Sequence, residues 1–303
     1  MSRFRLPDAG AATSVCRPVC AAARVGMLIG LLTGGLVSVG CGRNADPGPS
    51  NIGPASSVAT RPASGPGATS RVSALRTRPA PRAALERVAE RLRMVREQIA
   101  EPTDGRPPVT DERVLEAMRS VPRHVFVPRE LAAHAYEDSP LPIGYDQTIS
   151  QPYIVAIMTE LLRLGPESRV LEVGTGSGYQ AAVLAHMTPH VYTIEIVRPL
   201  AERAQRVLRE LGYDEVHCRT GDGYGGWPEA APFDAIIVTC AAEQVPAPLW
   251  EQLRPGGRMV IPTGSPWGVQ ELVVITKTAD GGRQTESVMP VRFVPLVREP
   301  PRR

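Results

Sequence analysis

Between Arg169 and Ala185 the chain reads RVLEVGTGSGYQAAVLA. Val170, Leu171 and Val173 have the character of a buried strand, Gly174, Gly176 and Gly178 make a turn, and the Ala-, Val- and Leu-rich stretch that follows is helical. Glycines let a backbone turn tightly and approach a ligand, while the first turn of a helix offers unpaired N–H groups and a positive dipole end. Two acids flank this turn. Glu172 lies at the carboxyl end of the first strand, and Glu195 closes the next strand, HVYTIEI, where a ribose hydroxyl pair is usually held. A dinucleotide fingerprint needs a third glycine one place later, and Tyr179 stands there, so a pyrophosphate crossing the helix start is disfavoured. The residues point to a smaller nucleoside ligand, against the alternative of a glycine-rich turn that binds nothing.

The elements that must position these residues alternate as a doubly wound α/β sheet requires. After HVYTIEI comes a helix from Arg198 to Leu211 with Leu200, Ala204, Val207 and Leu211 inward. VHCRT is the third strand and runs into Gly221, Asp222 and Gly223; FDAIIVT is the fourth and GGRMVIP the fifth. QELVVITKT and ESVMPVRFVPLV supply the remaining strands as an antiparallel edge, and Ala247 to Leu253 is the last helix. Ahead of the sheet, Leu85, Val88, Leu92, Val95 and Ile99 recur at helical spacing. A second helix runs from Thr110, as N-cap, to Val121, and a third is centred on Glu130 to Tyr136; the three are expected to form a helical cap beside the ligand face.

The glycine loop, GDGYGGWPEAAPFDAIIVTCAA and LRPGGRMVIPTG together resemble a class I S-adenosylmethionine-dependent methyltransferase, with a Rossmann-like sheet and flanking helices. LPIGYDQTISQPYIVAIMTELL narrows the resemblance to the protein-L-isoaspartate O-methyltransferase family, over about Leu85 to Val297. The resemblance implies S-adenosyl-L-methionine as cosubstrate, no metal, and isoaspartyl-containing proteins and peptides as substrates of a monomeric repair enzyme. It places Glu172 and the glycine turn at the methionine portion, Glu195 at the ribose, and Asp222 at the adenine amino group, with Gly223 leaving room for the base. The serine of the family's T-I-S-x-P segment maps to Ser150 as the catalytic residue, beside Thr148 and Ile149 on the cofactor side. Ser150 is equally placed to cap the helix that begins near Pro152. A carboxylate acceptor is ionised at neutral pH, so methyl transfer needs positioning and exclusion of water rather than a general base.

Composition narrows the field. Hydrophobic residues make up 43% of 303, enough for a sizeable core, and a formal net charge of +3 with no basic stripe gives no support to nucleic-acid binding. The five cysteines show neither a disulfide framework nor metal spacing, so Cys218 and Cys240 are expected to be reduced and buried. His124, His134, His186, His190 and His217 are read as surface or packing residues, and Tyr224 and Trp227 either cover adenine or close the core. Residues 1–43 carry Arg3, Arg5, Arg17 and Arg24 before an uncharged run ending at Cys41, which reads as a signal-like or anchor segment or as an extension from a misplaced start codon. Residues 44–82 have a Pro-, Gly-, Ser- and Ala-rich composition too poor in apolar side chains to fold, and 83–303 form the catalytic domain. Cofactor supply favours the cytoplasm, with membrane contact only if the N-terminal segment is retained. Two other functions fit less well: a nicotinamide-dependent reductase, and a lipid-anchored non-catalytic binding protein.

Overall fold

The computed structural model describes residues 82–265 and 268–298. The signal-like segment and all but the last residue of the Pro/Gly-rich stretch lie outside them.

The chain enters through a 3-10 turn, Arg82–Leu85, and α1, Val88–Met94, which continues as a π-helical turn over Val95–Ala100. The apolar stripe expected here is corrected in part. Leu85 and Leu92 are 70% and 46% exposed, and the buried face is Arg91, Met94, Val95 and Ile99. Arg87 takes a left-handed φ of 50°, which restarts the helix and resets its phase. Arg91 can occupy the inner face because carbonyls receive its guanidinium, that of Ala84 at 2.7 Å. α2, Glu112–Ser120, buries Val114, Leu115, Ala117 and Met118. Its cap is Asp111, which accepts from Arg113 N at 2.9 Å, and not Thr110. The Glu160 carboxylate holds the N–H groups of Thr110 and Asp111 at 2.6 and 2.7 Å and so sets where the helix starts. The third helix is a 3-10 segment, Arg129–His134.

Next come β1, Leu141–Gly144, and β2, Gln147–Ile149, an antiparallel hairpin that the amphipathic pattern does not announce. Its two turn residues, Tyr145 and Asp146, both have positive φ (56° and 57°), as a two-residue hairpin turn matched to strand twist requires. α3, Pro152–Leu162, starts with Pro152 in its first turn and Gln151 as cap, so Ser150 stands one residue ahead of the cap and the capping alternative for it is set aside.

The sheet has the order β5-β4-β3-β6-β7-β8-β9. β3 (Val170–Val173), β4 (Val191–Glu195), β5 (His217–Thr220), β6 (Phe233–Val238) and β7 (Leu253–Thr263) are parallel. β8 (Gln270–Lys277) and β9 (Arg283–Val291) form the expected antiparallel edge. The connecting helices are α4 (Tyr179–Met187), α5 (Arg198–Glu210) and α6 (Ala247–Gln252). On α5, Leu200 and Ala204 are buried as expected, as is Leu211 at its C-cap, but Leu208 is fully buried where Val207 is only partly so. Alternate strand residues feed two cores: Val170, Ala235, Ile237 and Val260 join the helices α2 to α4, while Leu171, Val173, Ile236 and Met259 meet Leu249 of α6 and Trp227. The helices preceding the hairpin belong to the first core, where Phe126 and the Tyr179 ring lie edge to face, 5.5 Å apart.

Candidate active site

β4 and β6 flank β3, so successive connections leave β3 in opposite directions and a cleft opens at the carboxyl ends of these strands, the place where doubly wound sheets bind ligands. Counted with the open solvent at its mouth, it spans about 770 Å³. Thr148, Ile149, Ser150, Glu172, Gly174, Gly176, Glu195 and Gly223 all line it, brought together from the hairpin, the glycine turn and the ends of β4 and β5. Gly178 and Asp222 do not. Gly178, with φ 88°, starts α4 and backs against Ala204 and Leu208 of α5. The Asp222 carboxylate turns into its own loop, accepts from Tyr224 N at 2.8 Å and lies 4.0 Å from Arg298 Nε.

The approach of backbone to cleft is tightest at two glycines. Gly174 has φ 100° and any Cβ there would strike the Thr239 hydroxyl; a Cβ on Gly223 would lie 2.5 Å from Val173 Cγ1. Thr239, at the exit of β6, donates through its one hydroxyl proton toward the carbonyls of Val173 and Gly174, at 3.0 and 2.7 Å, and thereby clamps the turn. Tyr179, in the position of the missing glycine, sends its ring under α2, with its hydroxyl 3.8 Å from Met118 Sδ and the Arg123 guanidinium 5.1 Å from the ring centre. The helix start is therefore filled by protein.

Glu195 is almost fully buried, and each carboxylate oxygen accepts one backbone N–H: Gly176 at 2.7 Å and Val197 at 2.9 Å. Carboxylate oxygens have further lone pairs, so hydroxyl donors can still be received. Glu172 has no exposure at all. Thr193, its partner across β4, donates to Oε2 at 2.5 Å and is itself 2.5 Å from the Thr175 hydroxyl, while Oε1 has no hydrogen-bond partner in the protein. Burial, moderated by the Thr193 hydroxyl and reinforced by the Glu195 charge, pushes the Glu172 carboxyl up to about 8.

Several lining residues have no signature in the sequence. Val294 to Val297 close one side, held by a short parallel bridge in which Ala241 N donates to Val294 O and Leu296 N to Ala241 O, both at 2.8 Å. Cys240 lines the floor just beyond β6, its thiol raised by burial. Gln180 also faces the cleft and donates to Thr159 Oγ1 at 2.9 Å. Of these, Thr239 was the most accessible to sequence reasoning, since it ends an apolar strand at the ligand side of the sheet. The expected helical cap does not wall this cleft; the hairpin does, with Ile143 Cδ1 lying against Gly176. A second cavity adjoins, about 1160 Å³ with the open solvent at its mouth, and Thr148, Ser150, Thr239 and Val294 line both.

Other sequence expectations resolve simply. Trp227 packs edge-on against Tyr192 at 5.4 Å and lines neither cavity, which is the core-closing reading. His134 and His190 do meet carboxylates, Glu137 at 2.7 Å and Glu167 at 3.3 Å, but as exposed pairs. Cys218 and Cys240 are free thiols, Cys240 buried as expected and Cys218 only partly so, and among the described residues no cluster of His, Cys, Asp and Glu could hold a metal.

An unpaired buried carboxyl oxygen facing a cleft, a clamped glycine turn and a second acid at the neighbouring strand fit a nucleoside that carries a cationic amino-acid tail. Sheet order and site together define an S-adenosylmethionine-dependent methyltransferase. The chain belongs to the protein-L-isoaspartate(D-aspartate) O-methyltransferase family, whose model matches residues 97–300. It is 58% identical over 215 residues to the protein-L-isoaspartate O-methyltransferase of Opitutus terrae, covering 71% of this chain and 90% of that one. It is also 58% identical over 212 residues to protein-L-isoaspartate O-methyltransferase 2 of Syntrophobacter fumaroxidans, covering 69% and 86%. A solved protein-L-isoaspartate O-methyltransferase is 31% identical with a TM-score of 0.56, over 62% of this chain and 61% of that chain. A Plasmodium falciparum beta-aspartate methyltransferase, solved in complex with S-adenosyl-L-homocysteine, is 26% identical with the same TM-score and is covered to 93%.

Proposed function

We propose that this chain esterifies the free α-carboxylate of L-isoaspartyl residues in aged proteins, with the cofactor in the β3 cleft and the acceptor in the adjoining cavity. The observation that carries this reading is the wall shared by the two spaces, in which Ser150 faces both. S-adenosyl-L-methionine supplies an electrophilic methyl on a sulfonium; the protein's part is to bind, orient and exclude water. Glu195 receives the ribose hydroxyls, Glu172 and the turn from Gly174 receive the methionine portion, and the Ser150 hydroxyl donates to the acceptor carboxylate. Gly223 leaves room for the base. Asp222 receives the adenine amino group through lone pairs that remain while its Oδ1 accepts Tyr224 N. Thr148 and Ile149 complete the wall between the two ligands.

The catalytic unit is residues 83–303, acting in the cytoplasm as a monomer. Supply of S-adenosyl-L-methionine supports that compartment. Incubation with an isoaspartyl peptide and labelled S-adenosyl-L-methionine should give a base-labile methyl ester, with no label transferred to the same peptide carrying ordinary aspartate. Equal labelling of both peptides would refute the substrate assignment, and activity confined to a membrane or periplasmic fraction would refute the compartment.

A further inference from the structure

The second cavity contains two arginines in different electrical states. Arg106 is more than compensated: Asp138 lies 2.6 Å from Nη2, Asp104 2.7 Å from Nε, and the guanidinium sits 4.3 Å from the Tyr153 ring centre, so this trio attracts no further anion. Arg292, just past the end of β9, lines the same cavity, is exposed, and has no ion pair among the described residues. Around it the walls include Met289 and Phe293, and the backbone there is held in place by Phe293 N donating to Gln270 Oε1 at 2.8 Å. A cation left uncompensated on a concave, partly apolar wall attracts anions more strongly than one on open surface, because the low-dielectric walls focus its field.

Ser150 lines both cavities, whereas Arg292 lines only the second. The guanidinium is thus set apart from the reacting end. Arg292 is better placed to meet the chain that flanks the acceptor. We propose that Arg292 is a specificity-determining residue that makes the second cavity prefer isoaspartyl segments with an acidic side chain next to the isoaspartyl residue, and disfavour those with a basic one. This rests on the reading of the second cavity as the acceptor site.

The test uses the full chain loaded with S-adenosyl-L-homocysteine and three fluorescent isoaspartyl peptides that differ only in the following residue: Glu, Ala or Lys. Anisotropy titrations at low salt should show the Glu peptide binding about 5-fold or more tighter than the Lys peptide, with the gap narrowing at high ionic strength. Arg292→Gln should reduce the gap to less than about 2-fold, and Arg292→Glu should reverse its order. Affinity for S-adenosyl-L-homocysteine, whose cleft Arg292 does not line, should be unchanged in both variants. A wild-type protein without the preference, or an Arg292→Gln protein that keeps it, overturns the inference. Wild-type protein that shows the binding preference yet methylates none of the peptides leaves the role of Arg292 standing and defeats the proposed reaction instead.

Discussion

The Glu195 carboxylate accepts Gly176 N at 2.7 Å, so the end of β4 holds the glycine turn that follows β3. Its other oxygen accepts Val197 N at 2.9 Å, which fixes the entry to α5 as well. The acid is immobilised before any ligand arrives, and a charge-assisted bond to a ribose hydroxyl costs little further ordering. Glu195→Ala should weaken S-adenosyl-L-homocysteine binding by about 1.5–3 kcal/mol in calorimetry. Unchanged affinity would remove Glu195 from the ligand site.

Ser150 stands outside the α3 cap, and stability and turnover should therefore separate. Ser150→Ala should leave the denaturation midpoint nearly unchanged, within about 0.5 kcal/mol, and lower turnover of an isoaspartyl peptide about 10-fold or more. Ser150→Asp should be worse, since a second carboxylate repels the acceptor. An Asp variant with wild-type turnover would exclude the catalytic role.

Glu172 gives a pH dependence whose sign is determined. Burial raises the folded-state value from 4.5 to about 8, so between those values the folded chain keeps a proton that the unfolded chain releases. The contribution of the neutral carboxyl to stability is complete below about 4.5 and is lost as pH rises toward about 8. Glu172→Gln, which cannot ionise, should flatten the fall in stability of the ligand-free protein measured by urea denaturation across that window. In the wild type, affinity for S-adenosyl-L-homocysteine should rise over the same interval, because the ligand's ammonium favours the ionised carboxylate. A Gln variant with the same two slopes would show that another group titrates.

Arg203 of α5 donates to the Ile143 carbonyl at 2.9 Å and ties the hairpin to the Rossmann-like sheet and its helices. Since Thr148 and Ser150 follow on that hairpin, Arg203→Ala should cost about 0.5–1.5 kcal/mol of stability and raise the Kd for S-adenosyl-L-homocysteine several-fold. Arg203→Lys should recover part of both. Loss of stability with unaltered ligand affinity would limit Arg203 to a structural role.

The strands, the glycine turn and the two acids at its flanks are written in the sequence because each is a local signal. A strand buried on both faces is a short, nearly continuous apolar run, as in VLEV and FDAIIV, where only Glu172 and Asp234 interrupt it, and a turn with φ of 100° at Gly174 calls for glycine. Tertiary structure alone decided what depends on residues far apart in the chain. Leu92 and Arg91 are neighbours in one helical stretch, and the carbonyls of Ala84 and, from the end of α2, Arg119 receive the arginine on the inner face. Ser150 reads equally as cap or active-site group until α3 is seen to start one residue too late for it. Thr239 and Val294 reach the shared wall because β6 lies beside β3 and the last segment returns past Ala241. Asp222 follows the third strand as expected, yet it does not line the cleft and its Oδ1 accepts Tyr224 N; a pattern of residue types places a backbone but does not aim a side chain.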